Sequence, residues 1–232
     1  MIISLDPPFV FIHVPKTAGF SLERALGQYA HAPAGTDPRW FNPFRALERP
    51  DPLDSSVVVH SPARALPDLL DPEFLERAFT FGFVRNPWEW LVSYYSFGKV
   101  TGPRETRPEY CERFPTFKDW VKEALVKEST WLKETYGHYS YRIKIPQHYY
   151  LADEEGKILV DFVGRYERLQ DDLRRACELA GVPVPPELTR GHKSAHGPYQ
   201  DYYDEETLEL VAPFVAKDAE LFGYQEFQCE SI

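Results

Sequence analysis

Basic residues are in short supply in this sequence. Lys and Arg number 26 against 36 Asp and Glu, a formal net charge of −10. A chain with that balance has no general attraction to nucleic acid or to an anionic membrane surface, although one local basic pocket stays open to it. Cysteine is also scarce. The three cysteines, Cys111, Cys177 and Cys229, are odd in number and in no metal-ligand spacing, which argues against a disulfide framework and a zinc site. Free and mostly buried thiols in a reducing compartment are expected instead. No apolar run approaches the roughly 18–20 residues that span a bilayer. Residues 1–8 lack the basic start and long apolar stretch of a leader. The chain is accordingly read as soluble and cytoplasmic.

What is present suits a packed globule: 43% of residues are hydrophobic and 15% aromatic, too many for a disordered chain. At 232 residues the chain is expected to form one domain with a sizeable core. Phe9-Val10-Phe11-Ile12-His13-Val14 reads as a strand buried on both faces, followed by a polar turn and a helix from Ser21. Residues 31–54, rich in Pro, Asp and Gly, read as surface loop. Val57-Val58-Val59-His60 and Phe79-Thr80-Phe81-Gly82-Phe83-Val84 read as two further strands, and residues 159–163 as a fourth. Asn86 is placed to cap a helix with Pro87 at its first position and Glu89 three residues after the cap, ending at Gly98. Helices are also expected over residues 117–128, over 167–180 with Gly181 as its stop, and over 205–217. Residues 101–115 read as a polar excursion, and the aromatic stretch 131–150 as a lid-like subregion, so that an excursion occupies roughly 99–150. Strands alternating with helices indicate α/β architecture with a largely parallel sheet, whose ligand crevice lies at the carboxyl ends of the strands. Lys16, His60 and Arg85 all stand at or just beyond such ends.

Two segments carry the chemistry. In His13-Val14-Pro15-Lys16-Thr17-Ala18-Gly19-Phe20-Ser21, a loop between a buried strand and a helix start offers backbone N–H groups to an anion. Lys16 adds a cation, Gly19 permits close approach, and Thr17 and Ser21 offer hydroxyls. No glycine precedes Lys16 as a Walker A loop requires, which disfavours a nucleoside-triphosphate hydrolase. Taken alone the segment also fits an ordinary strand-to-helix turn with a surface lysine. In the second segment, Arg85-Asn86-Pro87, a strand-end arginine suits bidentate phosphate recognition, and Ser93 two turns into the next helix can face the same crevice. An arginine capping its own sheet beside a core serine is the plainer alternative.

Together the two segments resemble the PAPS-dependent sulfotransferases (PAPS is 3′-phosphoadenosine 5′-phosphosulfate). The closest likeness is to the branch holding carbohydrate O-sulfotransferases and bacterial relatives. Asp161-Phe162-Val163-Gly164-Arg165-Tyr166-Glu167 and Asp218-Ala219-Glu220-Leu221-Phe222-Gly223-Tyr224 extend the likeness over most of the chain, residues 30–55 and 99–140 excepted. The resemblance implies a P-loop-NTPase-like core. It also implies that Lys16, Thr17, Ala18, Gly19, Phe20 and Ser21 cradle the 5′-phosphosulfate, while Arg85 and Ser93 hold the 3′-phosphate. The family's late nucleotide-closing loop maps onto residues 190–196, which makes Lys193 and Ser194 further 3′-phosphate contacts; a solvated loop is the equal alternative. Two departures stand out. Phe20 replaces the usual Thr or Ser, and Trp90 stands where relatives often carry Arg.

The resemblance also implies that His60, in Val59-His60-Ser61-Pro62, is the general base that takes the acceptor's proton in an in-line displacement, a task an imidazole suits. Lys16 then stabilises charge on the leaving oxygen. No metal is required and no ligand cluster is visible in the sequence. His13 reads as a core histidine without a role. Trp88, Tyr94, Tyr95, Trp131, Tyr136, Tyr139 and Tyr141 are candidates to wall an acceptor site, with core packing the better account of most. The acidic balance points to a hydroxylated small molecule, a lipid-like molecule or a neutral sugar as acceptor rather than a polyanion. Two competing readings are a kinase-like phosphoryl transferase, which lacks a visible Mg²⁺-binding acid, and a nucleotide-binding module without catalysis.

Overall fold

The structure, a computed structural model, describes residues 1–29, 60–100, 105–127, 129–136, 143–185, 188, 196–225 and 227. In chain order its main elements are β1 (Ile2–Leu5), β2 (Pro8–Ile12), α1 (Gly19–Leu26), α2 (Leu66–Leu69), α3 (Pro72–Arg77), β3 (Phe79–Val84) and α4 (Pro87–Val100). There follow α5 (Arg107–Arg113), α6 (Phe117–Val121), α7 (Thr130–Tyr136), α8 (His148–Leu151), β4 (Phe162–Arg165), α9 (Leu169–Ala180) and α10 (Glu205–Leu221). The chain divides into two compact units, Met1–Arg85 with Gln147–Gly191, and Asn86–Pro146 with His192–Ile232.

The first unit is a mixed α/β body. Among the described residues its sheet has the order β1-β2-β3-β4, with β2, β3 and β4 parallel and β1 antiparallel to β2. The continuous apolar runs of β2 and β3 are what a sheet covered on both faces demands. Phe9, Phe11, Phe81 and Phe83 pack with Leu22 and Leu26 of α1 and with Leu173, Ala176 and Cys177 of α9. Each such phenylalanine contributes about 1.5–3 kcal/mol by leaving water. Burial pushes the Cys177 thiol up to about 11, with Glu178 adding to the shift, so this cysteine is inert at neutral pH. Cys111 is free but exposed, contrary to the expectation for the thiols as a set, and Cys229 lies outside the described residues.

The second unit is helical. Trp88, Leu91, Val92 and Tyr95 of α4 meet Phe117, Trp120 and Val121 of α6 and Val211, Val215 and Ala219 of α10. Asn86 caps α4 as expected, its Oδ1 accepting the N–H groups of Trp88 at 3.1 Å and Glu89 at 3.2 Å. Of the expected acceptor-wall aromatics, Trp88, Tyr94 and Tyr95 are core residues and Trp131 packs against that core. Tyr139 and Tyr141 fall outside the described residues.

Several boundaries differ from the pattern-based expectation, each for a physical reason. β1 was not anticipated; Ile2 and Ile3 bury against β2, and the Ser4 hydroxyl closes the turn by donating to the Pro7 carbonyl at 2.7 Å. β4 begins at Phe162 rather than at 159. The Asp161 carboxylate is occupied by the N–H and hydroxyl of Thr80, at 2.7 and 2.8 Å, while Leu159 N–H donates back to Leu151. α4 runs through Gly98 to Val100. The helix expected over 117–128 is α6 followed by a wider π-type turn, Lys122–Val126, closed by the Lys127 N–H on the Lys122 carbonyl. The polar excursion contains α5. The helix expected from 167 starts at Leu169 after a 3₁₀ turn and ends at Gly181, whose φ of 71° is the left-handed cap expected there. α10 extends to Leu221. Residues 31–54 and positions 57–59 of the strand expected over 57–60 lie outside the described residues, and His60 itself stands in a turn.

Gly98 illustrates how a presumed stop signal becomes a packing device. A Cβ there would meet the Tyr110 ring at 2.2 Å, and Tyr110 is itself buried. Helix propensity alone makes Gly98→Ala stabilising by about 1 kcal/mol, whereas forced repacking costs about 1–3 kcal/mol. Repacking against a buried ring dominates, so chemical denaturation should find Gly98→Ala less stable than the parent chain; a gain in stability would refute the close-packing account.

Candidate active site

Between β2 and α1 the backbone takes an uncommon path. Lys16 has φ 64° and Ala18 φ 67°, both left-handed, and neither is glycine. Each costs about 1–2 kcal/mol relative to a right-handed residue, and such strain persists where the surroundings over-determine it. The surroundings here are specific. The Thr17 hydroxyl donates to the Val14 carbonyl at 2.8 Å and is fully buried, which turns the loop back on the strand end. Ala18 has no side chain to cap α1; its carbonyl instead receives the N–H groups of Ser21 and Leu22, at 2.9 and 3.0 Å. Gly19 is obligatory, because a Cβ would lie 1.7 Å from His13 Nε2. Phe20 is 36% exposed and Ser21 is buried.

Arg85 is the residue after β3 and only 3% exposed. Its backbone is clamped by one side chain: the Arg85 N–H donates to Gln147 Oε1, and Gln147 Nε2 donates to the Arg85 carbonyl, both at 2.8 Å. Gln147 is fully buried. It completes the strand end in the way a neighbouring strand would, satisfying both main-chain groups. The guanidinium lies over the Tyr166 ring, 4.0 Å from its centroid. Its Nη1 is 3.5 Å from the Lys16 carbonyl, the outer limit of a hydrogen bond. Burial, and after it the neighbouring Arg85, pull Lys16 down to about 7, because an ammonium held among protein atoms beside a second cation is disfavoured.

His60 closes the group from another segment. Its Nδ1 lies 2.9 Å from the His13 carbonyl, and its ring sits 4.3 Å from the His13 ring. A carbonyl only accepts, so Nδ1 carries the proton and Nε2 is the basic nitrogen of the neutral ring. His13 in turn meets Glu23 Oε1 through Nδ1 at 2.8 Å. Burial works against the Glu23 carboxylate, but the hydrogen bond and charge of His13 contribute to holding it below its ordinary range.

The first unit therefore assembles Lys16, Thr17, Ala18, Gly19, Ser21, His60 and Arg85. Ser93 lies in the second unit, on α4, and is 1% exposed. Trp90 is buried edge-on to Tyr94, with ring centroids 4.8 Å apart, so a core aromatic fills the position at which relatives often carry Arg. Lys193 and Ser194 lie outside the described residues. Gln147, Tyr166, Glu23 and the packing role of His13 went unread in the sequence. His13 ends a buried strand immediately before the loop and was the one visible signal among them. Among the described residues no group of His, Cys, Asp and Glu is arranged to hold a metal ion, and no helix is long and apolar enough to cross a membrane.

Within the second unit a groove of about 690 Å³ is lined by Tyr95, Lys99, Phe117, Lys118, Tyr202 and Asp204. Three of its charged side chains are engaged locally: Lys118 pairs with Asp204 as well as with Glu206, and Lys99 lies over the Tyr95 ring.

An uncharacterized protein of Archaeoglobus fulgidus is 24% identical over 123 residues, covering 53% of this chain and 83% of that protein. Residues 1–225 match the family described as the sulfotransferase family. The match takes in both the Lys16 and the Arg85 segments and nearly every described element, and on that extent the chain belongs to the sulfotransferase family.

Proposed function

We propose that this chain moves the sulfuryl group of PAPS to an acceptor hydroxyl, leaving adenosine 3′,5′-bisphosphate. Membership of the family supports sulfuryl transfer in general. The donor assignment rests chiefly on one observation: the left-handed Lys16–Ala18 loop and the buried Arg85 guanidinium meet at 3.5 Å, from two segments far apart in sequence. Burial and the neighbouring Arg85 already pull Lys16 down to about 7, and a multiply charged anion at this loop would favour its ammonium form.

The residues present fit that donor. Lys16, the backbone of residues 17–20 and Ser21 would hold its 5′ end in the manner of a helix N-terminus receiving phosphate. With its hydroxyl turned to Val14, Thr17 has its N–H to offer. Arg85 would take the 3′-phosphate, joined through the motif by Ser93, Lys193 and Ser194. When bound, the nucleotide supplies an activated sulfuryl group. His60 Nε2 accepts the acceptor's proton, and Lys16 balances charge developing on the bridging oxygen. The turn from β2 to α1 serves as a P-loop-like core without the Walker glycine. The whole chain acts as one sulfotransferase domain, with acceptor recognition in the segment around 99–150. An acceptor of neutral character, such as a small hydroxylated metabolite, a lipid-like molecule or a neutral sugar, suits the net charge of −10. Free Cys111 and Cys177 suit a reducing cytoplasm.

Adenosine 3′,5′-bisphosphate is expected to raise the thermal midpoint without metal, by the equivalent of about 2.7 kcal/mol at a hundred times its Kd. Stabilisation by ATP with Mg²⁺ alone would overturn the donor assignment. Arg85→Ala should weaken bisphosphate binding at least about thirtyfold, the loss expected of a buried charge contact. His60→Ala should bind within about threefold of the parent yet lose turnover by roughly 10²–10⁴. Parallel binding losses in both variants would contradict this division of labour.

The depressed Lys16 gives a pH signature of definite sign. Without ligand Lys16 is charged below about 7 and neutral above it, while a bound anion favours the ammonium. Binding above pH 7 therefore takes up a proton, and affinity should fall with rising pH, by up to about tenfold per unit. In Lys16→Arg, whose cation does not titrate, calorimetry should find affinity flat from pH 7 to 9. The same slope in that variant would remove Lys16 from the donor contacts.

A further inference from the structure

We infer that Glu23 and His13 are positioning residues for His60, a role that rests on His60 being the base proposed above. The His13 ring is held from three directions. Glu23 Oε1 takes Nδ1 at 2.8 Å, the Gly19 Cα underlies Nε2, and Phe11 of the same strand stacks at 6.1 Å with the planes 19° apart. The fourth direction is His60, whose ring lies 4.3 Å away at 51° and whose Nδ1 meets the His13 main-chain oxygen at 2.9 Å.

These contacts fix proton positions as well as rings. The ionised Glu23 carboxylate is an acceptor only, so His13 donates to it. The His13 carbonyl is likewise an acceptor only, so His60 donates from Nδ1 and presents Nε2 as its basic atom. A run of contacts thus leads from Glu23 on α1, through His13 at the end of β2, to His60. Glu23 is two residues beyond Ser21, on the helix whose start forms the proposed donor cradle. One short element thereby sets both the cradle and the orientation of the base. The Met1 amine lies 3.7 Å from Glu23 Oε1, and Lys16 and Arg85 stand at the adjoining loop.

The test uses the full ¹⁵N-labelled chain saturated with adenosine 3′,5′-bisphosphate. Long-range proton–nitrogen spectra report the tautomer of each of the seven histidines, with His60 assigned by its loss in His60→Ala. Neutral His60 is expected as the Nδ1–H form in the parent chain. In Glu23→Ala it should become a mixture of tautomers, and donor consumption should slow on the order of tenfold, as when the partner that orients a histidine is removed. Bisphosphate affinity should stay within about threefold. Glu23→Gln, whose amide oxygen still accepts from His13, should restore both the Nδ1–H form and most of the rate. An unchanged His60 tautomer in Glu23→Ala would overturn the inference, as would bisphosphate affinity lost in step with the rate. If instead His60→Ala keeps full turnover, the base assignment fails while the tautomer comparison still decides whether Glu23 orients His60.

Discussion

The turn from β2 into α1 can close only because residue 19 has no side chain. His13 fills the space where a Cβ would stand, and that ring is pinned in turn by Glu23 from the helix the turn begins. Strand end, loop and helix start are therefore one interlocked object. The left-handed conformations of Lys16 and Ala18 are tolerated within it. At about 1–2 kcal/mol apiece, they are outweighed by the burial of a single pair of the phenylalanines beneath, at about 1.5–3 kcal/mol each. The apolar sheet thus supplies the energy that holds a polar loop in a shape it would not adopt alone.

The second constraint is electrostatic. Arg85 is delivered to the loop by β3, anchored through its own backbone to Gln147 and steadied against Tyr166. Lys16 responds by losing affinity for its proton. Two basic side chains are thereby gathered at the strand ends, which suits the anion site proposed above. In the function proposed above such a site serves both ends of the donor, since chemistry at one phosphate is useful only if the other fixes the nucleotide in place.

Much of this was legible in the sequence where a residue's local chemistry decides its fate. The run from Phe79 to Val84 is apolar throughout and became a strand with those bounds. Asn86 and Gly181 cap helices because each satisfies a backbone requirement set by its immediate neighbours. Lys16 and Arg85 were placed together by the rule that parallel sheets gather their strand ends. Legibility ended where a partner distant in the chain decides. Gly98 has the look of a stop but answers to Tyr110. The onset of β4 is set by Thr80 rather than by its own apolar pattern. Gln147 sits in an aromatic stretch that hides it, since nothing local distinguishes a glutamine bound to a strand end from one in solvent. His13 was dismissed as core, and it is core; its contacts with Glu23 and His60 are long-range facts.

The Gln147 clamp separates two properties that are often fused. Because it grips only the main chain at position 85, the amide bonds that finish β3 are indifferent to which side chain stands there. Ligand preference at this corner is thereby uncoupled from the architecture beneath it. The side chain at position 85 is open to exchange through evolution or engineering, with the main-chain bonds of the sheet terminus left intact.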